Sequence, residues 1–215
     1  MATRLAPHFI AVLGLAWIAA LPASADSISN KLPVYTIATD KADPPHGWGA
    51  FCARYASECV GKSNAPRKIE LTATVWNAIV AINAAVNKRI EPISDERHWG
   101  KANMWVYPDD GYGDCKAYAL VKRRELIKAG FPREAALLAT VWTEQDQGHP
   151  VLIVRTDKGD YVLDSLSPDV LLWSRTAYDF VERQSTSDPN TWVYIDGYLQ
   201  NRPVTVASGI TAAEK

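Results

Sequence analysis

The chain has 215 residues, with 23 Lys and Arg against 24 Asp and Glu and a net charge of −1. That balance, with no long run of either sign, excludes the usual electrostatic footing for nucleic acid or an anionic membrane surface, and leaves a protein, peptide or small molecule as partner. Once an N-terminal leader is set aside, about 190 residues remain, enough for one domain with a full-sized core.

That leader is written in the first 25 residues. Arg4 and His8 precede an apolar run from Phe9 to Leu21, followed by Pro22 and the small-x-small triplet Ala23-Ser24-Ala25. The pattern is that of a secretory signal peptide. Its apolar run of about thirteen residues falls short of the ~20 a spanning helix requires, so no stable membrane anchor is expected. A mature chain beginning at Asp26, in the periplasm or outside the cell, follows.

Residues 26–66 are rich in Pro, Gly and Lys and contain Pro44-Pro45, which reads as an irregular N-terminal wrap. The wrap holds two of the three cysteines, Cys52 and Cys59, seven apart; the third, Cys115, stands alone in Tyr112-Gly113-Asp114-Cys115-Lys116. An oxidising compartment pairs thiols and an odd count leaves one over. Three pairings are open, and the local Cys52–Cys59 bridge with a free Cys115 is the expected one.

From residue 67 to 202 the chain reads as a single α+β domain. Leu71, Val75, Ile79, Ile82, Val86 and Ile90 recur at steps of three and four, the stripe of a helix with Thr72 as its cap. Residues 93–113 read as a loop. Asp114, a good N-cap, then opens a second helix with Cys115 in its first turn, ended by Gly130 with Pro132 beyond. After Pro132 the character turns to β, with strands expected at 137–143, 151–156, 161–163 and 192–195. Residues 203–215 read as a flexible tail.

Cys115 is therefore placed where free N–H groups and the partial positive charge of a helix start favour thiolate. The plainer alternative is a small buried cysteine packed under the helix. A thiol nucleophile needs a base, and beyond the leader the histidines are His46, His98 and His149. His46 lies in the wrap and His98 in a loop beside Trp99, where both read as solvated or locally capped. His149 follows Gly148 at the mouth of an apolar strand, a rigid mount. If the next turn centres on Asp157-Lys158, Asp164 faces Val151 and lies on the same side of the sheet as His149, within reach of a hydrogen bond. Otherwise Asp164 merely ends a strand. Asp109, Asp110, Glu144 and Asp146 read as turn residues, and Trp76, Trp142 and Trp173 as core or groove wall.

The blocks Gly113-Asp114-Cys115, Gly148-His149 and Leu163-Asp164, in that order, resemble the bacterial transglutaminase-like cysteine peptidases. The resemblance implies a papain-like fold, with Cys115, His149 and Asp164 as a catalytic triad, acting on a peptide or protein substrate. Its LapG-type branch is periplasmic, binds calcium beside the cysteine and cuts large biofilm adhesins, so the resemblance implies a cell-surface adhesin as substrate and an inner-membrane regulatory protein as partner. That branch reads Gly-Asp-Cys-Glu-Asp, whereas here Lys116 and Ala117 follow the cysteine. Asp114 is then the one calcium-ligand candidate, an ammonium stands where an acid is expected, and no cofactor is expected. A protease is the first reading. A transglutaminase-like acyltransferase or amidase shares the triad, and a non-catalytic binding domain would keep only the fold.

Overall fold

A computed structural model of the chain describes residues 33–61 and 68–196. The leader at 1–25 and the tail at 203–215 lie outside the described residues, and among those described no helix is long and apolar enough to cross a membrane.

The architecture is α+β. Among the described residues five α-helices, α1 (Trp48–Arg54), α2 (Ala56–Cys59), α3 (Ala73–Arg89), α4 (Asp95–Trp99) and α5 (Cys115–Lys128), accompany nine strands: β1 (Ala38–Ala42), β2 (Glu91–Pro92), β3 (Tyr112–Gly113), β4 (Ala136–Trp142), β5 (Gly148–Thr156), β6 (Gly159–Leu163), β7 (Leu171–Leu172), β8 (Asp179–Gln184) and β9 (Trp192–Ile195). Seven strands form one sheet in the order β1-β9-β8-β4-β5-β6-β7, all pairs antiparallel; β2 and β3 make a separate parallel pair.

The β5–β6 hairpin has the register that the sequence arithmetic gives: Leu152 faces Leu163, Val154 faces Tyr161 and Thr156 faces Gly159 across a turn centred on Asp157 and Lys158. Gly159 sits at φ 137°, and a Cβ there would lie 2.7 Å from the Val34 carbonyl oxygen, so the turn requires glycine. Strand alternation divides the core. Leu138, Leu152, Val154 and Leu163 join Ile79, Val86, Leu120 and Leu126 between sheet and helices. Leu137, Val141, Val151, Ile153, Val162 and Phe180 form a second cluster.

The segment expected as an irregular wrap is more regular than composition implies. It supplies an edge strand and two short helices, and Trp48 and Phe51 of α1 are buried in a ring cluster with Trp105 and Trp192. Cys52 and Cys59 are bonded, with Cα atoms 5.5 Å apart, closing this segment on itself.

Strand β8 buries Glu182, Arg183 and Gln184, of which Arg183 and Gln184 are tied by hydrogen bonds to Thr36 and Leu138. Burial pushes the Glu182 carboxyl up to about 7, with Asp43 adding to the rise and the Thr140 hydroxyl opposing it. The folded pKa lies above the unfolded value near 4.5, so between these limits the unfolded chain sheds the proton and the native chain keeps it. Stability from this group is complete below about pH 4.5 and falls as pH rises through about 7, by ~3 kcal/mol in all. Glu182→Gln is expected to flatten this part of the stability curve, as urea denaturation from pH 4 to 8 would read.

Candidate active site

Helix α5 begins where the sequence places it. Asp114 is its N-cap, the side chain accepting from Lys116 N–H at 3.0 Å, and Cys115 is its first residue. The helix can start against β3 because residue 113 is glycine: a Cβ there would stand 2.5 Å from that of Ala117. From this start α5 runs between sheet and helices, packing on β4 and β5 on one side and on α3 on the other. Cys115 is a free, buried thiol.

His149 and Asp164 meet. His149 Nε2 is 2.6 Å from Asp164 Oδ1, and both side chains are buried. An ionised carboxylate can only accept, so this bond places the ring proton on Nε2 and leaves Nδ1 as the basic nitrogen. Asp164 is itself held from three further directions. Leu166 N–H donates to Oδ1 at 3.1 Å, the Tyr178 hydroxyl donates a short hydrogen bond to Oδ2, and Asn87 on α3 donates to its main-chain carbonyl at 2.8 Å. Burial would push the Asp164 carboxyl up. The hydrogen bond and charge of His149, with the donors from Tyr178 and Leu166, outweigh it and hold the group below the ordinary aspartate value.

The thiol's electrostatics differ from the sequence expectation. A helix start favours thiolate, yet burial pushes the Cys115 pKa well above the usual cysteine range, and the charges of Asp114 and Asp164 push the same way. The charge of Lys116 and its backbone N–H pull it down without prevailing. The physical reason is that a helix terminus contributes a partial charge, whereas full burial removes the water that would solvate a whole one. A cysteine so placed reacts at neutral pH only by passing its proton to a base.

The His98 imidazole is paired with a different carboxylate. His98 lies on α4 rather than in a loop, and its Nε2 is 2.7 Å from Asp110 Oδ2. That pair differs from the buried one, since the Asp110 side chain is 49% exposed against 3% for Asp164. His46 contributes its carbonyl oxygen to Trp105 Nε1.

Sequence reasoning missed Tyr178, Asn87 and Lys122. Tyr178 and Asn87 act on Asp164 across long stretches of chain, where no local pattern marks them. Lys122, two turns along α5 from Cys115, is buried, and burial lowers its amine to about 7 against an upward pull from Asp164. Periodicity would count it as polar. Asp164 and Tyr178 also line a cleft of about 420 Å³, walled with them by Glu144, Leu166, Asp169 and Arg175.

A buried thiol at the start of a helix that packs on the strand carrying a carboxylate-bound imidazole is the equipment of cysteine acyl transfer. Comparison with known proteins agrees. Over residues 38–199 the sequence matches the family described as bacterial transglutaminase-like cysteine proteinase, BTLCP. No curated protein matches the chain. Solved structures of Legionella pneumophila LapG are similar to it. The EGTA-treated form is 25% identical, with a TM-score of 0.45, covering 51% of this chain and 62% of that one. A second form is 23% identical, with a TM-score of 0.47 and coverage of 55% and 68%. The calcium-bound form is 20% identical, with a TM-score of 0.49 and coverage of 62% and 76%. The chain thus spans about three-fifths of the EGTA-treated LapG chain. With its helix-borne cysteine on an antiparallel sheet, it has the papain-like fold of the transglutaminase-like enzymes, and it belongs to the bacterial transglutaminase-like cysteine proteinase family.

Proposed function

We propose that the chain is an exported protease that hydrolyses peptide bonds of a protein substrate, with Cys115 as nucleophile, His149 as base and Asp164 as the group that orients the base. The observation carrying this reading is the buried His149–Asp164 hydrogen bond, set beside the helix that opens on the chain's unbridged cysteine. His149 Nδ1 takes the thiol proton as Sγ attacks the scissile carbonyl. The carbonyl oxygen becomes an oxyanion, which N–H groups at the start of α5 stabilise. The imidazolium then protonates the leaving amine, an acyl-enzyme forms on Cys115, and water, activated by the same imidazole, releases the acid. The Cys52–Cys59 bridge supports export, because such bonds persist in oxidising compartments. A cell-surface adhesin is the first substrate to test, and an inner-membrane regulatory protein the first partner, both carried from the motif resemblance.

The test is to incubate wild type and Cys115→Ala with periplasmic and outer-membrane fractions and sequence the new termini. Termini made by wild type and missing with Cys115→Ala are expected. The same termini from both proteins would refute the proposal.

A further inference from the structure

Lys116 has no part in the chemistry above, yet its side chain is wholly enclosed. Its Nζ lies 2.9 Å from Asp95 Oδ2 and donates a short hydrogen bond to Asp114 Oδ2. Asp95 opens α4 and also accepts from Met104 N–H at 2.6 Å. Asp114 caps α5. One ammonium therefore ties α4, the segment after it and the first turn of the cysteine helix together, on the residue next to Cys115. Burial alone would push the ammonium's pKa down; Asp114, Cys115 and Asp95 outweigh it and keep the group charged.

Calcium, which the LapG-type motif implies, does not fit these residues. The ion takes six to eight oxygens. Here the two carboxylates are already closed on an ammonium, and among the described residues no group of three or more His, Cys, Asp or Glu could hold a metal. A lysine is a compact point charge on a flexible stem, and two carboxylates buried without a counter-charge would be costly.

We infer that Lys116 is a tethered cation that does by covalent attachment what a bound divalent ion would otherwise do: it neutralises Asp95 and Asp114 and holds the start of α5 so that Cys115 is correctly presented. Lys116 is thus a positioning residue, and the inference rests on reading Cys115 as the nucleophile. Its positive charge also opposes the upward push on the thiol.

The experiment follows Cys115 itself, by iodoacetamide alkylation with mass-spectrometric detection. In wild type, EGTA is expected to leave the alkylation profile unchanged from pH 5 to 9, and added calcium to leave the melting temperature unchanged. Lys116→Ala is expected to melt about 10 °C lower, as loss of one partner of a buried pair implies. It should also alkylate about tenfold more slowly at pH 7, the effect of one pKa unit. Propylammonium, the fragment deleted from the side chain, should restore much of that rate, while tetramethylammonium at equal ionic strength should not. An equal response to both salts, or a Lys116→Ala protein with the wild-type profile, overturns the inference. So does a wild type that loses alkylation in EGTA and regains it in calcium, and this arm decides alone if the variant does not fold. Alkylation is read apart from turnover, so a Cys115→Ala protein that still cleaved substrate would refute the catalytic proposal while leaving this result standing.

Discussion

Cys115→Ala and His149→Ala should each lower kcat/KM by about 10⁴-fold or more, and the double variant should cost little beyond either alone. The reason lies in the thiol's surroundings. Burial, Asp114 and Asp164 all raise its pKa, so without a base to take the proton the nucleophile is absent at neutral pH, and without the nucleophile the base has nothing to activate. Two groups that supply one function lose it once. Steady-state kinetics on the four proteins of the cycle would measure this, and losses that simply multiply would contradict a shared step.

Asp164 gives the second large effect, and its two substitutions should separate. Asp164→Ala removes the acceptor for His149 Nε2 and frees the ring to turn and change tautomer, for which about 10³-fold or more is expected. Asp164→Asn keeps an oxygen at the Oδ1 position, where His149 and Leu166 donate, and presents an amide N–H to the Tyr178 hydroxyl, which can reverse its role and accept. The geometry survives and only the charge is lost, so this variant should lose less than Asp164→Ala. Equal losses for Ala and Asn would mean that charge rather than orientation is what Asp164 provides.

How far the sequence reveals this arrangement depends on whether the contact concerned is local. The Asp114 cap, the helix after it and the β5–β6 register follow from rules spanning a few residues, and the register alone brings His149 and Asp164 to one side of the sheet. Strand β8 escapes because its buried positions are filled by Glu182, Arg183 and Gln184, whose partners lie elsewhere in the chain, so the apolar alternation that marks a strand is absent. Edge strand β1, Ala-Thr-Asp-Lys-Ala, shows only one buried residue and no pattern at all. Lys116 is the clearest case. Its replacement of an acid is visible in the sequence, but the carboxylate that completes its enclosure, Asp95, stands 21 positions earlier in a segment read as loop. The thiol's raised pKa is hidden for the same reason: the cap and helix start are local, while burial is a property of the whole fold.

The central claim is that Cys115 becomes a nucleophile through His149. The rate of Cys115 alkylation by iodoacetamide, followed from pH 5 to 10 in wild type and in His149→Ala, tests it most directly. Wild type should react appreciably below the pKa of ~8.5 of a free thiol, because His149 takes the proton as Sγ attacks, although burial raises the thiol's own pKa. In His149→Ala the buried thiol has no such partner, and its profile should move above that value. Superimposable profiles, or a profile set by His98→Ala instead, would contradict the assignment.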